Sequence, residues 1–343
     1  MRRILSVVFL GVLVAEGLTL GQGSDAGRVL AAARDALGGE KKLTAVTSLT
    51  ATGHNAQANG QTSVSRDFEM ALVTPDKFMR KDTIAVMNGT PITRTSGFNG
   101  DGLVETLDTP PMGGGVFLFK SAGPGGVTSI GPGGGAHTPE QLAEIHKAGV
   151  LAAKQDFARL ALGMFATSFE AFPLQFTYAG TAESPDGKAD MVEVRGAGEF
   201  TATLFIDQKS HLPLMLSWMA KEPISLSNPA GAPGTVTSSG GVQTRTMTIG
   251  GGGASAAGAG GQRMTPADIA TMQQEMDARV KEAEAKARIV EYRVFYGNYQ
   301  IVEGVKLPTT FSRSIDGKAT EELTIEKYKL NTKVDPKAFE VVK

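Results

Sequence analysis

The chain has 343 residues, with 43 glycines, no cysteine and a formal net charge of −1 at pH 7. Without cysteine there can be no disulfide, thiolate metal site or lipid-modified N-terminal cysteine. The near-neutral charge argues against a nucleic-acid-binding surface, which needs clustered Lys and Arg. The sequence also lacks the phosphate-loop motif, H-E-x-x-H and G-x-S-x-G.

The N-terminus has the pattern of a secretory signal. Met1-Arg2-Arg3 is basic, and an apolar run from Ile4 to Val14 follows it. Eleven helical residues span about half of the hydrocarbon layer of a membrane, which favours a signal peptide over a membrane span. We therefore expect a signal peptide over 1–23, cleaved between about Gly17 and Gly23, and an exported, periplasmic mature protein.

The elements up to residue 109 are an early helix and a meander of strands. The helix ends at Gly38-Gly39. From Leu43 to Thr109 the apolar period is two, and Thr74-Pro75-Asp76 and Asn99-Gly100-Asp101-Gly102 mark turns between antiparallel strands.

The middle of the chain predicts a long apolar helix followed by more strands. Thr138-Pro139 is a good helix start, and Leu160, Met164 and Phe165 lie on the apolar face of this helix. Two strands then carry bulky alternating residues, which are Phe172, Leu174, Phe176 and Tyr178 in the first and Leu212, Leu214, Leu216 and Trp218 in the second. Ser184-Pro185-Asp186-Gly187 and Asp316-Gly317 are further hairpin turns.

Two glycine-rich stretches interrupt this pattern. Pro110–Ala136 holds ten glycines and Asn228–Gln262 holds eleven, and both predict loops because they bury too little apolar area to offset the entropy of ordering. Thr265-Pro266 then starts a second, largely solvated helix that runs to about Arg288. We expect a single domain over 24–343, with a loop at 110–136 and a loop-plus-helix insertion at 219–288.

The order of elements predicts an α+β fold in which one curved antiparallel sheet wraps its apolar face around one or two helices, as an incomplete β-barrel. No alternation of single strands and helices is present, which disfavours Rossmann and TIM folds.

Several patterns could hold a catalytic or metal site, and each has a simpler explanation. Gly131–Ala136 matches G-x-G-x-x-A, but the helix starts too late to receive a phosphate. The four histidines have no partner at metal-ligand spacing. The candidates for a pair of catalytic carboxylates are Glu321-Glu322 and aspartates in turns such as Asp76, Asp101 and Asp186, which turn chemistry explains. We predict no catalytic residue, no metal and no cofactor, so the protein is not expected to be an enzyme.

The bulky strand faces allow two interpretations. They are core packing, or they line an apolar cleft between sheet and helix that holds an apolar ligand. The pattern alone leaves both open.

Several segments resemble LolA/LolB-like periplasmic lipoprotein carriers, the family that sorts outer-membrane lipoproteins. The resemblance covers about 28–218 and 289–342, and it lies in Ala36–Glu40, Val46–Gly53, Val73–Phe78, Gly97–Gly102, Leu204–Asp207, His211–Leu214, Tyr299–Pro308 and Asn331–Phe339.

The resemblance implies an incomplete antiparallel barrel closed by helices, whose apolar cavity receives the acyl chains of lipoproteins or lipids. It further implies an envelope membrane protein as partner, and we expect a monomer. The residues expected to line the cavity are Leu160, Met164 and Phe165 from the helix, and Phe172, Leu174, Phe176, Leu214, Leu216 and Trp218 from the sheet. The alternatives are an envelope interaction or sensor module on the same fold, docking through 219–288, and an unidentified hydrolase.

Overall fold

The computed structural model describes residues 22–59, 62–87, 90–108, 116–122, 128–130, 139–185, 187–222, 225–227, 234–239, 242–249, 278–279, 281–283 and 285–341. Every structural statement below concerns these residues. The predicted signal peptide lies outside them up to residue 21.

Three α-helices and nineteen strands are described. The helices are α1 (Gln22–Leu37), α2 (Glu40–Thr44) and α3 (Pro139–Phe165), and a 3-10 helix spans Pro336–Phe339. The strands before α3 are β1 (Ser48–Asn59), β2 (Thr62–Val73), β3 (Lys77–Met87), β4 (Thr90–Asn99), β5 (Gly102–Asp108), β6 (Val116–Ala122) and β7 (Thr128–Ile130). Those after α3 are β8 (Leu174–Ser184), β9 (Gly187–Gly196), β10 (Phe200–Asp207), β11 (Pro213–Lys221), β12 (Ser225–Ser227), β13 (Gly234–Ser239), β14 (Val242–Ile249), β15 (Ile289–Gly297), β16 (Gln300–Val302), β17 (Val305–Leu307), β18 (Thr310–Ile315) and β19 (Lys318–Leu330).

The main sheet has twelve strands in the order β5-β4-β3-β2-β1-β19-β18-β15-β11-β10-β9-β8. Its two edge strands, β5 and β8, do not pair with each other, so the sheet is open. The sheet is curved and antiparallel. The predicted α+β class and incomplete antiparallel barrel are therefore confirmed.

The predicted turns lie where the hairpins close. Asn99 pairs with Gly102 across the β4–β5 turn, Ser184 pairs with Gly187 between β8 and β9, and Ile315 pairs with Lys318 across Asp316-Gly317. At the end of α1, Gly38 has a φ of 134°, a backbone conformation that favours glycine. These signals are local, which explains why the sequence shows them.

The glycine-rich stretches contain strands, so the prediction of loops there is wrong in part. A five-stranded sheet has the order β12-β13-β14-β6-β7, and Thr246 of β14 pairs with Phe119 of β6. β13 and β14 alternate Thr with Val, Arg or Met between glycine clusters, and β-branched residues favour strands. Of the predicted helix 265–288, residues 278–279, 281–283 and 285–286 are helical, while 265–277, 280 and 284 lie outside the described residues.

The chain divides into two compact units, which are described separately. The first takes in the chain up to Asp82, Lys154–Met219 and Glu291–Phe339, and the second takes in Thr83–Ala153, Ala220–Val290 and the last four residues. The first unit contains all the residues of the candidate site. The expectation of a single domain over 24–343 stays a prediction.

No helix among the described residues is long and apolar enough to span a membrane.

Candidate functional site

The second half of α3, Lys154–Phe165, has a buried apolar face. Phe157, Leu160, Leu162, Met164 and Phe165 are each at most 3% exposed. Burying five large apolar side chains contributes roughly 1.5–3 kcal/mol each relative to exposure. We call the face of the main sheet that carries Leu216, Trp218, Tyr292 and Tyr296 the helix face.

Two contacts fix this helix segment to its neighbours. The Tyr296 hydroxyl on β15 donates a hydrogen bond of 2.6 Å to the carbonyl oxygen of Arg159. At the end of α3, Nη1 of Arg34 from α1 donates a hydrogen bond of 3.0 Å to the carbonyl oxygen of Phe165. Burial raises the pKa of Tyr296, so its phenol stays protonated as a donor.

We call the buried apolar residues between the second half of α3 and the helix face the apolar layer. Most of the residues expected to line a cavity lie in this layer. Leu160, Met164, Phe165, Phe172, Leu216 and Trp218 are buried, and Leu174 and Phe176 are half-buried. On the edge strand β8, Leu174 pairs with Gly196 and Phe176 with Val194 of β9. Gly196 leaves room for Leu174 and Phe172, because a Cβ there would lie 2.9 Å from both Leu174 Cδ2 and Phe172 Cε1.

Leu214 is placed differently from the expectation. It is 39% exposed, whereas Leu216 and Trp218 are buried. Ile206 pairs with Pro213 and Phe205 pairs with Met215, so Leu214 is an extra residue at a β-bulge. A bulge shifts the alternation of side chains between the two faces. The prediction that Leu214 shares a face with Leu216 and Trp218 is therefore wrong.

Aromatic side chains extend the layer beyond the predicted set. Phe157 lies with its ring centroid 5.1 Å from that of Phe78 and 5.2 Å from that of Phe169. The ring of Phe172 meets that of Phe200 edge-on at 5.4 Å. Phe157 and Phe200 are not among the residues that the sequence predicts for the site. Both fall in strongly apolar segments, which is the signal that could have found them.

Arg159 lies inside this apolar layer. The residue is 9% exposed, and its guanidinium carbon is 4.6 Å from the ring centroid of Trp218 and 5.2 Å from that of Phe200. The Trp218 ring in turn stacks on Tyr292 at 5.4 Å. Cations gain energy over aromatic faces, more so where water is excluded.

The charge of Arg159 is only partly compensated. Its Nη1 atom lies 2.7 Å from a carboxylate oxygen of Asp156. Burial lowers the pKa of Arg159 although Asp156 opposes this, and the nearby Arg313 lowers it further.

A second charged cluster lies on the helix face of β3, β18 and β19. The acceptor Glu321 lies 3.3 Å from Nη2 of Arg80 and 3.2 Å from Nη1 of Arg313, and Arg80 Nη2 also lies 2.6 Å from Asp82. Burial raises the pKa of Glu321, but Arg313 and Arg80 outweigh this effect, so its pKa is lowered. The sequence shows Glu321 only as a carboxylate next to Glu322, because its partner Arg80 lies 241 residues away in the chain.

One histidine has partners that the spacing of the sequence did not indicate. Nδ1 of His54 lies 2.9 Å from Asp67, and its Nε2 atom lies 3.1 Å from Glu326. His54 and Asp67 are opposite each other on β1 and β2, so this histidine has an acidic partner across a hairpin. Across the described part of the chain, no group of three or more His, Asp or Glu side chains is placed to hold a metal ion.

Fold and site together define an α+β protein in which a helix with an apolar face covers one face of an open antiparallel sheet. No family model matches the chain, and no curated protein matches it.

Solved structures similar to this chain have low identity to it. One is a domain described as an outer membrane lipoprotein-sorting protein from Vibrio parahaemolyticus, at 11% identity and a TM-score of 0.43. A LolA superfamily protein from Nitrosomonas europaea follows at 10% identity and a TM-score of 0.42. A DUF1329 family protein from Desulfovibrio piger has 7% identity and a TM-score of 0.40. Each alignment covers 92% of this chain and 97% of the other.

Proposed function

We propose that this protein is a carrier that binds an acyl chain of a lipid or lipoprotein between the second half of α3 and the helix face. The observation that supports this proposal is that three distant segments, 157–165, 172–176 and 216–218, contribute to one apolar layer. Arg159 contacts Trp218 and Phe200, and Phe200 contacts Phe172. The resemblance of the sequence to lipoprotein carriers agrees with it.

The energetics favour such a ligand. An acyl chain of about 16 carbons gains on the order of 12 kcal/mol when it leaves water, at about 0.8 kcal/mol per CH₂. Phe157, Met164, Leu216 and their neighbours supply apolar surface for it. The ligand displaces contacts within this layer, so the net gain is smaller and release remains feasible.

Trp218 provides a direct test, because it is the only tryptophan in the chain and lies in the proposed site. Dibromostearic acid quenches a tryptophan that it contacts, whereas stearic acid does not. We expect saturable quenching of Trp218 fluorescence by the brominated acid, and competition by stearic acid. Binding of the brominated acid without quenching would contradict the proposed site, and no binding of either acid would overturn the proposal.

The carrier is further proposed to act in the periplasm as a monomer and to pass its cargo to a membrane partner. The basic start and apolar run of residues 1–14 support export. N-terminal sequencing of the protein recovered from a periplasmic extract tests this, with a start between residues 18 and 24 expected. An intact Met1 on that protein would contradict it.

A further inference from the structure

Three buried N–H groups on or beside the helix face have no hydrogen-bond acceptor. They are Nε of Arg159, Nε1 of Trp218 and Nε of Arg313. Buried donors in native proteins are nearly always paired, because an unpaired one loses its bond to water without a replacement. Three such groups in one region indicate an acceptor that arrives from outside the chain.

The three groups are close together. The guanidinium of Arg159 lies over the ring of Trp218, 4.6 Å from its centroid. Arg313 is near enough to Arg159 for the two positive charges to repel each other. Arg313 is also opposite Val294 of β15, and this places it on the same face as Tyr292 and Tyr296.

The nearby carboxylates pair with other atoms of the two arginines and not with their Nε groups. Asp156 lies at Nη1 of Arg159, and Glu321 lies at Nη1 of Arg313. Glu321 is shared with Arg80, so the negative charge of Glu321 compensates Arg313 only in part. An oxyanion that accepts from the two Nε atoms and the indole would therefore meet two cations without displacing their carboxylate partners.

We propose that Arg159, Arg313 and Trp218 bind the anionic end of the acyl ligand, a carboxylate or phosphate oxyanion. This inference rests on the proposed acyl-chain binding and names the ligand class, which is an acidic single-chain amphiphile. The chain of the ligand lies along the apolar residues of α3, and its head lies at Arg159. Neutral esters have the same chain, but they lack the charge that the arginines meet.

Isothermal titration of dodecanoic acid and methyl dodecanoate into the full-length protein distinguishes the contribution of the charged head group to the affinity from that of the acyl chain. We expect the acid to bind about tenfold or more tightly than the ester, since a bond to a charged group contributes more than one to a neutral group. Dodecyl phosphate and inorganic phosphate identify the source of the oxyanion. Tight binding of dodecyl phosphate alone indicates a phospholipid head, whereas inorganic phosphate binding as tightly as the amphiphiles would contradict a ligand with a chain.

Two variants test the named residues. Arg159→Met removes the cation and leaves an apolar side chain of similar length. Trp218→Phe removes the indole N–H and keeps an aromatic ring. We expect Arg159→Met to lower the affinity for the acid to that for the ester, and Trp218→Phe to lower it severalfold. For both variants, the affinity for the acid should fall by a larger factor than the affinity for the ester. Circular dichroism and thermal melting show whether each variant is folded.

Arg293→Gln is the matched control. Arg293 also has a buried unpaired Nε, but it lies on β15 between Tyr292 and Val294 and so points to the opposite face. We expect this variant to bind acid and ester as the original chain does. Equal affinity of the original chain for dodecanoic acid, dodecyl phosphate and the ester would overturn the inference and leave acyl binding intact. An Arg159→Met variant that still prefers the anionic amphiphile to the ester would overturn it as well. Failure of all three amphiphiles to bind would instead overturn the proposed function.

Discussion

The hydroxyl of Tyr296 on β15 lies 2.6 Å from the carbonyl oxygen of Arg159 in α3, the same residue whose side chain lies against Trp218. One residue of the helix is thus held through its backbone by β15 and through its side chain by an aromatic residue of β11. This pair of contacts positions the helix on the sheet.

Replacing Tyr296 with Phe should destabilise the protein by about 1–2 kcal/mol, because a buried hydrogen bond is lost while the ring stays. Urea denaturation measures the change in the free energy of unfolding. Tyr178→Phe is the control. Its hydroxyl lies 3.1 Å from Asp190 in a more exposed position, and we expect a change within about 0.5 kcal/mol. Equal effects of the two variants would contradict the placement of Tyr296.

Gly163 of α3 lies directly against the ring of Tyr296, where an added Cβ would overlap with ring atoms. Gly163→Ala should therefore destabilise the protein by about 1–3 kcal/mol, as overpacking does. Gly27 is also helical, in α1, but nothing lies within 4 Å of an added Cβ there. Gly27→Ala should stabilise the protein by about 0.4–1 kcal/mol. Thermal melting of both variants checks the opposite signs, and a shared sign would argue against the close contact.

The bulge at Leu214 predicts different costs for two neighbouring leucines. Leu216 is fully buried, so Leu216→Ala should cost about 2–5 kcal/mol of unfolding free energy. Leu214 is 39% exposed, and Leu214→Ala should cost about 0.5 kcal/mol or less. Denaturation of the two variants under the same conditions measures both values. A large cost at Leu214 would show that the strand alternates regularly and that the bulge is absent.

Glu321 should make stability depend on pH. Its pKa in the folded protein is lowered by Arg313 and Arg80 against the effect of burial, and Asn55 and Asp82 are the other polar groups of its cluster. A lowered folded pKa means that the unfolded chain takes up the proton first as the pH falls. The stability from Glu321 is thus complete above its ordinary pKa of about 4.5 and is lost as the pH falls toward the lowered value.

Glu321→Gln should remove this contribution. At pH 7 we expect it to cost about 3 kcal/mol, because Arg313 and part of Arg80 lose a buried partner. The difference from the original chain should shrink as the pH falls below about 4.5, since the carboxyl group is then protonated as well. Urea denaturation between pH 3 and pH 7 measures the difference, and one that stays constant with pH would contradict the ionised cluster.

The local features of this protein follow from short stretches of its sequence. The turns at Asn99–Gly102, Ser184–Gly187 and Asp316-Gly317 follow from the backbone preferences of a few residues. The period of two along β8 and the start of α3 at Pro139 are likewise set by neighbours in the chain, as is the antiparallel class that follows from many short strands.

Which of these residues meet depends on the three-dimensional fold. The bulge at Leu214 depends on the register of β10 against β11, and β14 becomes a strand in a glycine-rich stretch because β6 pairs with it. Arg159 looks like the polar side of a helix in the sequence, but Phe200 and Trp218 enclose it in the fold. Such placements rest on contacts between residues far apart in the chain, and these contacts also place three unpaired N–H groups together beside the apolar layer.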